Sequence, residues 1–511
     1  MAFIASAYVG PAGGAGGGRP LHPHGQANPN GQVHHHLSTI DYMRAKRATS
    51  IGVLSAAALL LPLPYATGAA GAPPDGPRTT TAHEASGGTQ SLAFAPAHSD
   101  APRGGRAARE ITARSVRPYS LVGVVWERGD AELHGRVQVR TRDAGTGRWS
   151  GWHELDAHTG DRPGAAAGRS GDGRGADGQV RGATTPLWAG ASDGVQARVL
   201  PERTRDGAPD ARRLPDGLRL ELIDPGPGPG SDSGSGANSG KESKESKENK
   251  ESKESKGNKG DKGNKESQGS KGNKESKEAE QARKAEEERT GHALPALTEE
   301  QTRTEYGSSR AHLAPRPRIV TRKGWGADES LRQGEASYTG APRVAFVHHT
   351  AGNNDYDCAQ TPSIIRSIYR YHVQSSKWRD IGYNFLVDKC GTVYEGRAGG
   401  VAKPVMGAHT YGFNTNSTGI AVIGAFEKDE PPAAALDGVA RLAAWRLGLG
   451  GVDPAGTNLM TSGGGKYTKG TQVRLHTISG HRDGFDTACP GARLYDKLPR
   501  IRQDAAAQQG R

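Results

Sequence analysis

Apolar residues are scarce in this chain of 511 residues: 33% are hydrophobic and 5% aromatic, whereas 74 Gly and 31 Pro make up about a fifth of it. That scarcity excludes a chain packed throughout, because segments so poor in apolar side chains bury too little surface to offset their ordering entropy. About 300 residues are left for folded domains. Cysteine is nearly absent, with Cys358, Cys390 and Cys489 alone, so a disulfide scaffold is excluded; one bridge and one remaining thiol is the most they allow. Long hydrophobic runs are missing too. The run from Ile51 to Leu63 falls short of the roughly 20 apolar residues that a membrane-spanning helix needs, and no later segment is apolar enough to span. Arg44, Lys46 and Arg47 precede that run and Ala70-Gly71-Ala72 follows it, which reads as a secretory signal peptide, with no stable membrane insertion once it is cleaved. Met43, just ahead of the basic cluster, reads as the true start, and the Gly- and His-rich residues 1–42 read as solvated low-complexity sequence.

The charges lean one way. A formal net charge of +12 suits an anionic partner, either nucleic acid or an acidic cell wall. No base-stacking or groove-reading motif accompanies it, so nucleic acid is not expected as a partner. An HEXXH zinc-peptidase motif is absent as well.

Along the chain, residues 73–112 are rich in Ala, Gly and Pro without sustained period and read as disordered. Residues 113–224 read as a small β-rich accessory domain. Within it Leu133, Gly135, Val137, Val139 and Thr141 alternate with His134, Arg136, Gln138 and Arg140 at the period of a strand. A Gly-rich insert at 159–182 interrupts it. Trp126, Trp149, Trp152 and Trp188 are able to stack on sugar rings, yet core or edge packing is the commoner role of tryptophan in a sheet. Residues 225–300 read as a linker of Pro-Gly, Lys-Glu-Ser and Lys-Gly-Asn repeats, with a short polar helix at Glu278–Arg289.

The last domain, 315–505, reads as α/β, with a central mixed β-sheet flanked by helices. Strands are expected at 344–348, 383–387, 392–395 and 420–423. A helix follows from the spacing of Ile364, Ile365, Ile368 and His372 behind Thr361-Pro362, read as N-cap and first helical residue. A second is expected from Pro432 to Leu447.

Three segments of this domain hold possible metal ligands: His348-His349 at a strand end, His409 in a loop, and His481 followed eight residues later by Cys489. Two His and one Cys suit a catalytic zinc, which takes three protein ligands and keeps a fourth position open. On the residues alone each has an ordinary alternative, a packed or surface histidine or a buried thiol.

Six strings decide more. VHHTAG (347–352), W-x-DIGYNFLV (378–387), GTVYEGR (391–397), GAHTYGFN (407–414), TGIAVIG (418–424) and SGHRD-x5-CPG (479–491) resemble, in that order, the type 2 amidase domain. More narrowly they resemble the peptidoglycan recognition proteins of bacteria and animals, with phage lysozyme-type amidases as more distant relatives. The resemblance implies a zinc hydrolase that cuts the amide between N-acetylmuramic acid and L-alanine in peptidoglycan, acting as a secreted, extracellular or wall-associated protein. A member that binds peptidoglycan without cutting it is the alternative. By matched position, His348, His481 and Cys489 are implied as zinc ligands, the thiolate being what binding-only members lack. Tyr383 matches the active-site tyrosine, Thr487 a threonine of amidase-active members, and His409 a groove histidine near the metal. His349 and His372 are implied as packing residues.

Further expectations rest on the same resemblance. Animal members place a disulfide near the first loop, though with another partner spacing, which makes Cys358–Cys390 the expected bridge and leaves Cys489 for zinc. Tyr383 and Thr487 are implied as donors to the developing oxyanion, with His409 and Tyr383 as candidates for the acid. Arg397 and the loop 398–406 are expected to meet carboxylates of the stem peptide, and Glu395 is expected to be structural. That loop lacks the Gly-Trp pair with which some animal members select diaminopimelate, which leaves the preferred stem peptide open.

Overall fold

The computed structural model describes residues 87–97, 109–157, 180–203, 210, 213–228, 291–307 and 309–511. The expected signal peptide, the Gly-rich insert except its last residues, most of the linker and the short helix at 278–289 lie outside them.

Among the described residues, eight strands form the N-terminal sheet: β1 (Gly88–Ala93), β2 (Ala95–Pro96), β3 (Arg109–Trp126), β4 (Gly135–Asp143), β5 (His153–Leu155), β6 (Gly182–Ala183), β7 (Leu187–Pro201) and β8 (Arg219–Asp224). Their order is β1-β8-β3-β7-β4-β5, with β2 and β6 each paired to β3, and every pairing is antiparallel. In β4 the alternation works as its sequence requires, burying Val137, Val139 and Thr141 and turning Arg136, Gln138 and Arg140 outward. Trp126 and Trp188 are core residues. Trp149 and Trp152 lie under the guanidinium groups of Arg140 and Arg198, at 5.2 and 4.1 Å. The expectation of disorder over 73–112 is corrected at 88–97 and from 109 onward. Gly88–Ala93 pairs residue for residue with β8, so its order comes from a partner some 130 residues away in sequence.

The C-terminal sheet holds β9 (Ala293–Leu294), β10 (Ile319–Val320), β11 (Val344–His349), β12 (Phe385–Val387), β13 (Val393–Glu395), β14 (Ser417–Val422) and β17 (Ile478–Gly480). The hairpin β15 (Thr457–Thr461) and β16 (Gln472–His476) stands beside it. The order is β17-β11-β14-β12-β13-β10-β9, parallel from β17 to β12 and mixed beyond. β9 and the helix Glu299–Glu305 fall within the stretch expected to be linker. Leu297 bridges Arg316, so the domain begins ahead of residue 315.

Helices pack on both faces of this sheet. Ala433–Gly448 buries Leu436, Val439, Ala443 and Leu447 in the core cluster with β11, β12 and β14, as its spacing predicts. Thr361–Arg370 carries Pro362 in its first turn, but Thr361 is already helical and is not the cap. The Thr361 hydroxyl reaches inward instead, 3.2 Å from the buried Asp388 carboxylate. The helix continues as one π-turn, Tyr371–Ser375, which swings Tyr371 and His372 to different neighbours.

That turn joins the two domains. Leu121, Val125, Trp188 and Ile223 of the β domain share one buried cluster with Ile364, Ile368 and Tyr371. The Tyr371 hydroxyl lies 3.1 Å from the carbonyl oxygens of both Val124 and Thr184. Gly123 makes room for it, since a Cβ there would stand 2.5 Å from the phenol ring. Ser375 donates to Glu221 at 3.1 Å, and Arg366 donates to the carbonyls of Pro225 and Gly226.

Candidate functional site

The sheet assembles the candidate ligands. β11 and β17 run parallel with Val347 opposite Gly480, so His348 and His481 emerge side by side at the same strand ends. Cys489 returns to them in the loop after the short helix His481–Gly484, and its backbone N–H donates to Thr487 Oγ1 at 3.2 Å. All three are buried, and their ligand atoms lie within 4.8 Å of one another. Two imidazoles and a thiol are the nitrogen and sulfur donors that zinc prefers, and three of them leave the open position of a catalytic site. The residues fit the metal.

The surroundings orient each donor. His348 turns Nδ1 toward the Cys489 sulfur, at 3.9 Å, and Nε2 toward Nδ1 of His409, at 3.3 Å. His409 is itself fully buried; its backbone N–H and that of Thr410 both donate to Asn414 Oδ1, and Ser417 Oγ stands 3.4 Å from its Nε2. The backbone N–H of His349 points at the Cys489 sulfur, 3.4 Å away, which favours the thiolate. Burial pushes the His348 imidazole down to about 3 and His349 to about 4, and it holds His409 well below its ordinary range. All three are therefore held in the neutral form, the form in which imidazole ligates.

Among the remaining expected residues, Tyr383 packs its ring 5.4 Å from that of His348 and is buried. His349 and His372 face away from the cluster, and each accepts a backbone N–H at Nδ1, from Phe426 and from Gly382. Glu395 accepts from the Arg322 backbone at 3.2 Å, and burial raises its pKa. The Arg397 guanidinium donates to the carbonyls of Ile381, Met406 and Asp380 and so ties the Tyr383 loop together. Cys358 and Cys390 form the disulfide.

Other residues that shape the site escape a reading of motifs alone. Phe485 stacks on His481, 6.0 Å between ring centres, and Trp378 stacks on His372 at 4.3 Å. Asp380 pairs with the buried Arg322 at 3.1 Å and caps Ile381 and Ala398, fixing the turn that leads into Tyr383. Asn414 had its signal in GAHTYGFN, where an Asn four and five residues beyond the N–H groups it caps marks a tight loop.

Residues 338–492 match the family described as N-acetylmuramoyl-L-alanine amidase, and residues 77–216 match the one described as Rv3811 N-terminal galactose-binding domain-like. Peptidoglycan-recognition protein SC2 of Drosophila simulans is 30% identical over 181 residues, which are 35% of this chain and 84% of that protein. The peptidoglycan recognition protein of Trichoplusia ni is 32% identical over 186 residues, 36% of this chain and 86% of its own. Among solved structures, wild-type Drosophila PGRP-LB is 27% identical and covers 35% of this chain and 91% of its own, with a TM-score of 0.29.

Proposed function

Because this chain belongs to the peptidoglycan recognition protein family, we propose that it is a secreted zinc amidase hydrolysing the bond between N-acetylmuramic acid and L-alanine in peptidoglycan. The observation that carries the reading is the complete donor set: His348, His481 and Cys489 converge, buried, with an oriented imidazole and a thiol faced by a backbone N–H. These three residues would hold a zinc ion, and the chemistry it would supply is activation of water near neutral pH and polarisation of the scissile carbonyl.

The chain's own residues do the rest. His409 holds the His348 ring from behind, which fixes its tautomer and direction. That contact with the His348 ring makes its role one of positioning. Tyr383 packs its ring beside that of His348, and Thr487 precedes Cys489 by two residues. Their hydroxyls hydrogen-bond the oxyanion as it develops, each donor contributing about 3–4 kcal/mol in a dry site. Export is supported by the basic cluster and apolar run near the N-terminus and by the Cys358–Cys390 disulfide, since such bridges persist in oxidising compartments.

The test is mass spectrometry of soluble products after incubating the full chain with intact peptidoglycan, with and without a zinc chelator and with Cys489→Ala alongside. Free stem peptides beginning at L-alanine, lost on chelation and in the variant, are the expected result. Sedimentation with the wall without peptide release would replace the amidase by a binding protein.

A further inference from the structure

One cavity near the candidate metal ligands is walled by both domains. It measures about 380 Å³, with Trp378, Lys466, Phe485 and Asp486 on one side and β-domain residues including Arg181 on the other. Two of its rings lead to the cluster. Phe485 stacks on His481, and Trp378 stacks on His372, whose ring packs in turn on Tyr383 at 5.8 Å. Phe485 and Trp378 thus line the cavity and also touch rings at the cluster, which puts the cavity in the cluster's neighbourhood, with room there for the next segment of a long substrate.

The charges along the cavity are nearly all matched. Lys466 donates to the Arg482 carbonyl and lies 3.9 Å from Asp486, and Asp130 pairs with Arg128 at 2.8 Å. Arg181 differs, because among the described residues its guanidinium has no ion pair or side-chain hydrogen bond; only its backbone N–H is engaged, with the Ser376 carbonyl at 3.1 Å. That backbone bond, two residues from Trp378, and the Tyr371 clamp hold the wall in place. An unmatched guanidinium in a cleft is a receptor for a carboxylate, which it grips through two parallel hydrogen bonds. Stem peptides carry such carboxylates, and Arg397, the residue expected to meet them, is turned to backbone carbonyls.

We infer that the β domain is a fixed part of the substrate cleft and that Arg181 holds a carboxylate of the stem peptide. The inference rests on the peptidoglycan reading for the identity of the ligand, and it makes the β domain a determinant of which peptide is accepted.

Calorimetric titration of the full chain carrying Cys489→Ala tests it, with a muramyl tripeptide bearing free carboxylates and the same tripeptide amidated at those positions. The parent binds the free form about tenfold more tightly than the amidated one, a difference expected of one partly exposed charge-assisted contact. Arg181→Gln removes that preference and leaves binding of the amidated form unchanged, while Arg181→Lys keeps part of it. An Arg181→Gln chain that binds both peptides like the parent, or loses both equally, overturns the assignment. So does a parent that does not discriminate between them, a comparison that needs no substitution at Arg181. Product release by the unmodified chain stands apart: release without discrimination sinks this assignment alone, and discrimination without release sinks the amidase alone.

Discussion

His409→Ala separates two roles that one histidine near a metal can have. In the structure its Nδ1 is 3.3 Å from Nε2 of His348, both rings being buried, and the next acceptor for that His348 nitrogen is Thr410 Oγ1 at 3.5 Å. Truncation therefore leaves the buried His348 Nε2 on a long, weak contact, and the imidazole loses the partner that would orient it for zinc. Removing such an outer partner typically weakens metal affinity by about 10- to 100-fold, which is about 1.4–2.7 kcal/mol. The assay is zinc affinity by competition with a chromophoric chelator, read beside peptide release, for His409→Ala and His409→Gln, the latter keeping an acceptor. Weaker zinc binding in the Ala variant, partly restored by Gln, with release recovering in excess zinc, is the expected pattern. A zinc affinity within about twofold of wild type, together with lost release, would refute the positioning role and return His409 to the substrate.

Tyr371→Phe removes the hydroxyl shared by the Val124 and Thr184 carbonyls and should lower stability by about 1–2 kcal/mol, seen as a melting shift of roughly 2–6 °C in the full chain; no shift would mean that the domains do not depend on it. Cys358→Ala with Cys390→Ala opens a loop with a sequence separation of 32 residues and should cost about 3–4 kcal/mol in denaturant unfolding without altering zinc affinity; a loss below about 1 kcal/mol contradicts it. His372, pushed down to about 3 by burial, is neutral in the folded chain but takes up a proton in the unfolded chain below its ordinary value of about 6.5. Its share of stability is thus whole above that pH and is lost as the pH falls from there towards 3, so metal-free His372→Gln should show a shallower acid decline than metal-free wild type between about pH 6.5 and 4, and parallel curves would count against it.

What the sequence disclosed and what it hid divide along the range of the interactions. The cluster was legible because the types of its members, two His and one Cys, restrict the chemistry, and their motifs recur in a fixed order; the sheet then brings strand ends 133 residues apart in sequence, His348 and His481, to one edge. The helix at Ala433–Gly448 was legible from period alone. Thr361 was misread as a cap because its competitor, the Asp388 carboxylate, lies 27 residues onward in another element. Gly88–Ala93 was misread as disordered for the same reason, its partner being β8. The hold on Arg397 was hidden because the three carbonyls that bind it carry no side-chain identity that a sequence pattern registers. Docking of the two domains was hidden most completely. Tyr371 reads as one more aromatic on an amphipathic helix, and its partners are backbone atoms. Gly123 is the one trace left in the sequence: a glycine inside a β-rich run signals a close approach, but only the fold says that what approaches is the tyrosine of another domain. A fragment cut at the linker would lose the Tyr371 clamp and Arg181 together.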